Sequence, residues 1–143
     1  MGKTVCKIML KDHAQIMKLL SMFERELTKN LDNSKNLFNK FKWNLNKHFF
    51  VEEKVIFSVY ESVSEEDNID ILKLLKEHKD IYWLLNKTED ELDANKIPDI
   101  SELKKLLRSH ANFEDKNFYP KLDEELDDKQ KAIIFDRAEE IIR

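Results

Sequence analysis

Apolar positions recur at helical spacing along nearly the whole chain. Ile16, Leu19, Leu20, Phe23 and Leu27 follow the i, i+3, i+4, i+7 rule and predict a first helix over about Lys11–Lys29. Asn30, Asp32 and Asn33 then mark a turn. A second helix, from about Ser34 to Val63, carries the stripe Phe38, Phe41, Leu45, Phe49, Val55, Ile56 and Val59. Ser64 to Asn68 reads as the next turn, with Asp67 or Asn68 as the following N-cap. The third helix, about Ile69–Glu91, is striped by Leu72, Leu75, Ile81 and Leu85. Asp93, Asn95 and Pro98 break the chain. Ser101 is then placed to cap a fourth helix, which carries Leu103, Leu106, Leu107, Phe113 and Phe118 and is expected to stop near Pro120. A shorter amphipathic helix over about Asp128–Ile142 carries Ile133, Ile134, Ala138 and Ile141. Short connections between long helices make antiparallel neighbours. The expected fold is therefore all-α: an up-down-up-down antiparallel four-helix bundle over residues 11–120, with a short extra C-terminal helix. No linker interrupts it, so residues 1–143 are expected to form a single domain.

Composition sharpens this. One glycine and two prolines are too few for the turns of an all-β fold. Hydrophobic residues at 41% and charged residues at 38% supply a core and solvated outer faces together. The net charge of -4 is spread without a basic block, which argues against nucleic acid as a partner. Apolar runs are too short to span a membrane, and the N-terminal stretch lacks the pattern of a signal peptide. Cys6 is the only cysteine, so no intrachain disulfide can form. These features suit a reducing cytoplasm. Cys6 itself reads as a resting thiol in an extended N-terminal segment.

The chemistry lies in the histidines. There are four, His13, His48, His78 and His110, one on each long helix. Leu10, Leu45, Leu75 and Leu107 each stand three residues earlier and so share a face with them, which turns each imidazole toward the apolar core. Residues equidistant from a hairpin turn lie side by side. The midpoints between successive histidines fall in or beside the three expected turns, so all four imidazoles meet at one level. Buried imidazoles need partners, and a metal ion satisfies several at once. Glu52 and Glu114 stand four residues after His48 and His110 and also face inward. Two unpaired buried carboxylates are costly, which again favours cations.

The chain repeats itself. His13–Leu20 resembles His78–Leu85, and His48–Phe57 resembles His110–Tyr119. Two helical hairpins related by a pseudo-twofold axis would each supply two imidazoles and one carboxylate, a donor set that suits a pair of ions such as iron, manganese or zinc. The Glu-x-x-His spacing of ferritin-like bundles is absent.

With His13, His48-x-x-x-Glu52, His78 and His110-x-x-x-Glu114, and with the phrases HFFVEEKVIF and EHKDIYWLL, the chain resembles the hemerythrin-like (HHE cation-binding) family over roughly Lys11 to Pro120. The resemblance implies two non-haem iron ions with an oxo or hydroxo bridge. It implies that Glu52 and Glu114 bridge them, with His13 and His48 on one iron and His78 and His110 on the other. It also implies a protein that binds, senses or turns over O2, NO or hydrogen peroxide. Oxygen-carrying members have a further histidine where this chain has Tyr82, and an aspartate five residues after the fourth histidine, whereas here Glu114 comes at four, with Asp115 behind it. Both departures argue against reversible oxygen carriage. Tyr82 is either a phenolate ligand or a buried, hydrogen-bonded tyrosine.

Met17, at the matching place in the other half, reads as core packing. Glu53, Asp115, Lys54 and Lys116 read as solvated, and Trp43 and Trp83 as core or helix-contact residues. Two alternatives stand beside the small-molecule reading: an iron store or iron sensor without turnover, and a metal-free interaction bundle that docks through its last helix. An electron donor, and a monomeric or homodimeric state, stay open.

Overall fold

The computed structural model describes residues 4–61 and 68–142. All regular structure among them is helical. In chain order the elements are α1 (Val5–Glu26), α2 (Leu31–Val51), a π-turn (Glu52–Ile56), α3 (Phe57–Glu61), α4 (Asn68–Asp93), α5 (Ser101–Phe113), a second π-turn (Glu114–Phe118), α6 (Tyr119–Glu125) and α7 (Asp128–Ile142). The two π-turns are continuous with their flanking helices, so α2–α3 and α5–α6 are each one long rod. With α1 and α4 they make the four-helix bundle, and α7 is the extra C-terminal helix. No helix among the described residues is long and apolar enough to cross a membrane.

Several boundaries differ from the sequence expectation, each for a local reason. The first helix begins at Val5, not Lys11, and contains Cys6. Thr4 caps it through Lys7 N–H, and the Asp123 carboxylate accepts from the Val5 and Cys6 N–H groups at 3.0 and 3.1 Å. That cap comes from a residue more than a hundred positions away. Burial, then Asp123 and Asp115, raises the Cys6 pKa. Asn30 caps α2 by accepting from Asn33 N–H. Ser101 is not the cap of α5: the N-cap position is Ile100, and Asp99 accepts from both the N–H and the hydroxyl of Ser101. Pro120 does not stop the fourth rod, which runs to Glu125. It directly follows the second π-turn, where the return from i+5 to i+4 bonding leaves one carbonyl without a donor, so a residue lacking an N–H is tolerated. The expected turn at 64–67, with Asp67 as a cap, lies outside the described residues.

The apolar interior has two parts. One contains Ile16, Leu20, Phe23, Phe38, Phe41, Leu45, Phe49, Ile81, Leu85 and Leu107. The other contains Met9, Val55, Ile56, Tyr60, Leu74, Phe118, Tyr119 and Leu122, together with Ile134 and Ala138 from α7. The histidines and the two glutamates sit along the chain near the points where one set gives way to the other. Some stripe positions differ from the sequence expectation. Leu72 is 65% exposed, and Ile71 and Leu74 take its place inside. Trp43 and Trp83 are 65% and 62% exposed and so are not core residues. Leu10 is also largely exposed, and buried Met9 and Ile16 flank His13 instead.

Candidate metal centre

His13 comes from α1, His48 from α2, His78 from α4 and His110 from α5. All four are buried, as are Glu52 and Glu114, which are fully inaccessible. The two glutamates open the two π-turns. In each turn the carbonyl of the glutamate accepts from the N–H five residues on, at Phe57 and Tyr119. An α-helix advances about 100° per residue, so a residue nine places after a histidine would point about 180° away from it. The one extra residue of a π-turn brings that position back to within about 80°. Phe57 and Tyr119 therefore return to the interior. The Phe57 ring stacks at 6.1 Å from His78, and the Tyr119 ring lies 5.7 Å from His13.

The donor atoms converge. His13 Nε2 and His48 Nε2 are 2.8 Å apart. Glu52 Oε1 lies 3.5 Å from His48 Nε2 and 3.2 Å from His78 Nε2. Glu114 Oε1 lies 3.4 Å from His110 Nε2 and 3.2 Å from His13 Nε2. Each carboxylate thus spans one imidazole of each pair. Two nests of potential ligand atoms result: Glu52, His78, His110 and Glu114, and His13, His48 and Glu114.

The outward nitrogens are held just as regularly. His48 Nδ1 meets Asp12 at 2.6 Å, His110 Nδ1 meets Glu77 at 2.8 Å, His13 Nδ1 meets Asp115 at 2.8 Å, and His78 Nδ1 meets Glu53 at 3.2 Å. The pairs obey the pseudo-twofold: Asp12 and Glu77 act within their own halves, whereas Glu53 and Asp115 cross to the other. Glu53 and Asp115 are thus not simply solvated side chains, as their positions suggested. Asp12 and Glu77 escaped the sequence reading altogether. The signal was present, since every one of the four acids adjoins a histidine or glutamate of the site. A carboxylate on Nδ1 fixes the tautomer and turns a lone pair on Nε2 inward.

That inward lone pair is what makes the arrangement fit cations. His78 Nε2, His110 Nε2, Glu52 Oε1 and both Glu114 carboxylate oxygens are buried without a hydrogen-bond partner. The 3.2 Å approach of His78 to Glu52 gives charge attraction without hydrogen-bond geometry. Buried acceptors facing one another are costly unless positive charge lies between them. In the metal-free protein, burial works against protonation of His78, but Glu52 and Glu53 raise its pKa to about 9. Burial would raise Glu52, yet His48, His78 and His110 bring it to about 2. Burial lowers His110, which keeps its lone pair.

Tyr82 is half-buried with its ring edge-on to Phe49 at 5.4 Å, and burial followed by Glu53 and Glu52 pushes its pKa to about 12. Tyr119, which the sequence reading passed over, is fully buried; its hydroxyl donates to Glu52 Oε2 at 2.8 Å and lies 3.4 Å from His48 Nε2. Met17 is partly buried against the core, as expected. It also lines a small cavity with His13, His48, Phe49, His110 and Ala111, among others, whose free volume of about 10 Å³ admits one water-sized molecule.

The hemerythrin HHE cation binding domain matches residues 4–122. The chain belongs to this family. Comparisons with curated proteins and with solved structures gave no match. As a hemerythrin-like domain, it carries the buried histidine and glutamate groups that can hold a metal cation.

Proposed function

We propose that this hemerythrin-like chain binds two iron ions and uses them to bind, sense or turn over a small molecule: O2, NO or hydrogen peroxide. His13 and His48 hold one ion, His78 and His110 the other, and Glu52 and Glu114 bridge between them. The observation that carries this reading is the set of buried, unpartnered donor atoms turned toward one another. Mixed imidazole and carboxylate donors suit iron. When bound, the pair supplies redox-active Lewis acids with room for an exogenous ligand. The chain does the rest. Asp12, Glu53, Glu77 and Asp115 orient the imidazoles, and the apolar residues above and below the site exclude bulk water. The cavity beside His13, His48 and His110 is only about water-sized, which favours the smallest ligands over larger substrates. Its presence favours the small-molecule reading over a store that only holds iron. The lone, partly buried cysteine fits a cytoplasmic setting.

The test is anaerobic ferrous loading followed by metal analysis and an optical spectrum in air. Close to two irons per chain and a coloured protein are expected; a colourless, metal-free chain refutes the reading. Tyr82 enters as a candidate phenolate on the His78–His110 side. Tyr82→Phe then removes a phenolate-to-iron absorption band, and an unchanged spectrum rules that role out.

A further inference from the structure

The two halves match in their ligands and differ in one hydroxyl. Tyr119 and Phe57 occupy equivalent places, each the first residue after a π-turn and each lying against a histidine of the other half. Tyr119 donates to Glu52 Oε2, whereas Phe57 has nothing to donate and both Glu114 oxygens remain unpartnered. The nests differ in the same sense. Glu114 belongs to both, but Glu52 is grouped only with His78 and His110. Four donor residues therefore cluster tightly at one position and three at the other, which Glu52 reaches only beside His48, at 3.5 Å. The Tyr119 hydroxyl lies beside the poorer one, 3.4 Å from His48 Nε2.

Building on the proposed di-iron reading, we propose that Tyr119 makes the two metal positions unequal. By holding Glu52 Oε2 in a hydrogen bond it weakens the Glu52 bridge at its His13–His48 end. The His78–His110 position fills first and tightly, and the His13–His48 position fills second and exchanges more readily. Tyr119 is a positioning residue here: it acts through Glu52. A phenol proton bound to a carboxylate oxygen competes directly with a cation for the same lone pairs, and the pair is wholly buried, where such a bond is at its strongest.

The experiment is an anaerobic titration of the metal-free full chain with cobalt(II), followed by visible absorption. Two steps are expected, the first tighter by about tenfold or more, the equilibrium weight of one hydrogen bond to a charged group. His110→Ala should delete the tight step and His13→Ala the weak one. Tyr119→Phe frees Glu52 and should strengthen the second step. Phe57→Tyr supplies the missing hydroxyl beside Glu114 and should weaken the first. Both variants move the two affinities together by opposite routes, which general damage to the fold would not do. Melting temperature and helix content of each metal-free variant confirm that it is folded. Two ions bound by the wild-type chain with equal affinity, or a ratio unchanged in both folded variants, overturn this inference and leave the di-metal reading standing. A chain that binds neither cobalt(II) nor iron(II) overturns both.

Discussion

The hairpin that carries His13 and His48 and the hairpin that carries His78 and His110 are near copies at the level of ligands and differ in the layer just behind. Each has two imidazoles, one carboxylate at a π-turn and two orienting acids. Behind His78, the Phe49 ring stacks at 3.8 Å and Tyr82 meets that ring edge-on. The equivalents of Phe49 and Tyr82 in the repeat are Ala111 and Met17, and at that place the cavity opens. On the other side of the ligand layer the inequality reverses, with Tyr119 beside His13 and Phe57 beside His78. The duplicated histidines and glutamates set where cations could go. The unduplicated neighbours decide how the two positions differ.

The largest expected effect separates the two carboxylates. Glu114→Gln removes a donor common to both nests and should abolish stoichiometric binding of both ions. Glu52→Gln should spare more, because Tyr119 already weakens the hold of Glu52 on the His13–His48 position. Metal content after gel filtration reads the difference, and equal losses would erase the distinction.

Next, Ala111→Phe restores the symmetry with Phe49 by filling the cavity. We expect two ions still bound, a drop of about tenfold or more in azide or NO binding, and an overpacking cost of about 1–3 kcal/mol. Undiminished ligand binding, followed optically, would remove the cavity from the mechanism.

The orienting acids come third. Asp12→Asn should weaken metal binding by about 10–100-fold, the usual weight of a partner that orients a ligating histidine. Glu53→Gln should fall at the lower end of that range, because the Glu53 side chain is 33% exposed and pairs at 3.2 Å, against 4% and 2.6 Å for Asp12. Competition against a chelator measures both.

The smallest effect is the pH dependence of the metal-free chain. His78 is raised from 6.5 to about 9, so its contribution to stability is complete below 6.5 and is lost as pH rises through about 9. Glu52 is lowered from 4.5 to about 2, so its contribution holds above 4.5 and is lost as pH falls through about 2. Melting temperature of the metal-free protein should thus decline between pH 6.5 and 9, while the loaded protein, whose ions replace the proton on His78, should lose this decline.

Much of the bundle was legible because it depends on local period. The stripes of α1 and α2, the turns at Asn30 and Asn95 and the inward direction of the histidines with their i+4 glutamates all follow from 3.6-residue spacing. Asn95 even takes the left-handed conformation, φ 59°, that suits an asparagine at a helix end. Tyr119 was not legible for the same reason. Counted at helical spacing from His110 it points away from the core, and only the π-turn restores it. The early start of α1 rests partly on a local cap, Thr4 to Lys7 N–H, and partly on Asp123, which is remote in the chain.

From its sequence alone, this protein is determined as a helical bundle with four histidines and two glutamates at one level, because helix period and turn position are short-range properties. Tertiary structure alone decided that each imidazole leans on a carboxylate from another helix, that two extra-residue turns swing Phe57 and Tyr119 inward, and that a cavity opens among His13, His48 and His110 but not beside His78. Each of these depends on atoms brought together from helices far apart in the chain, where no local spacing rule reaches.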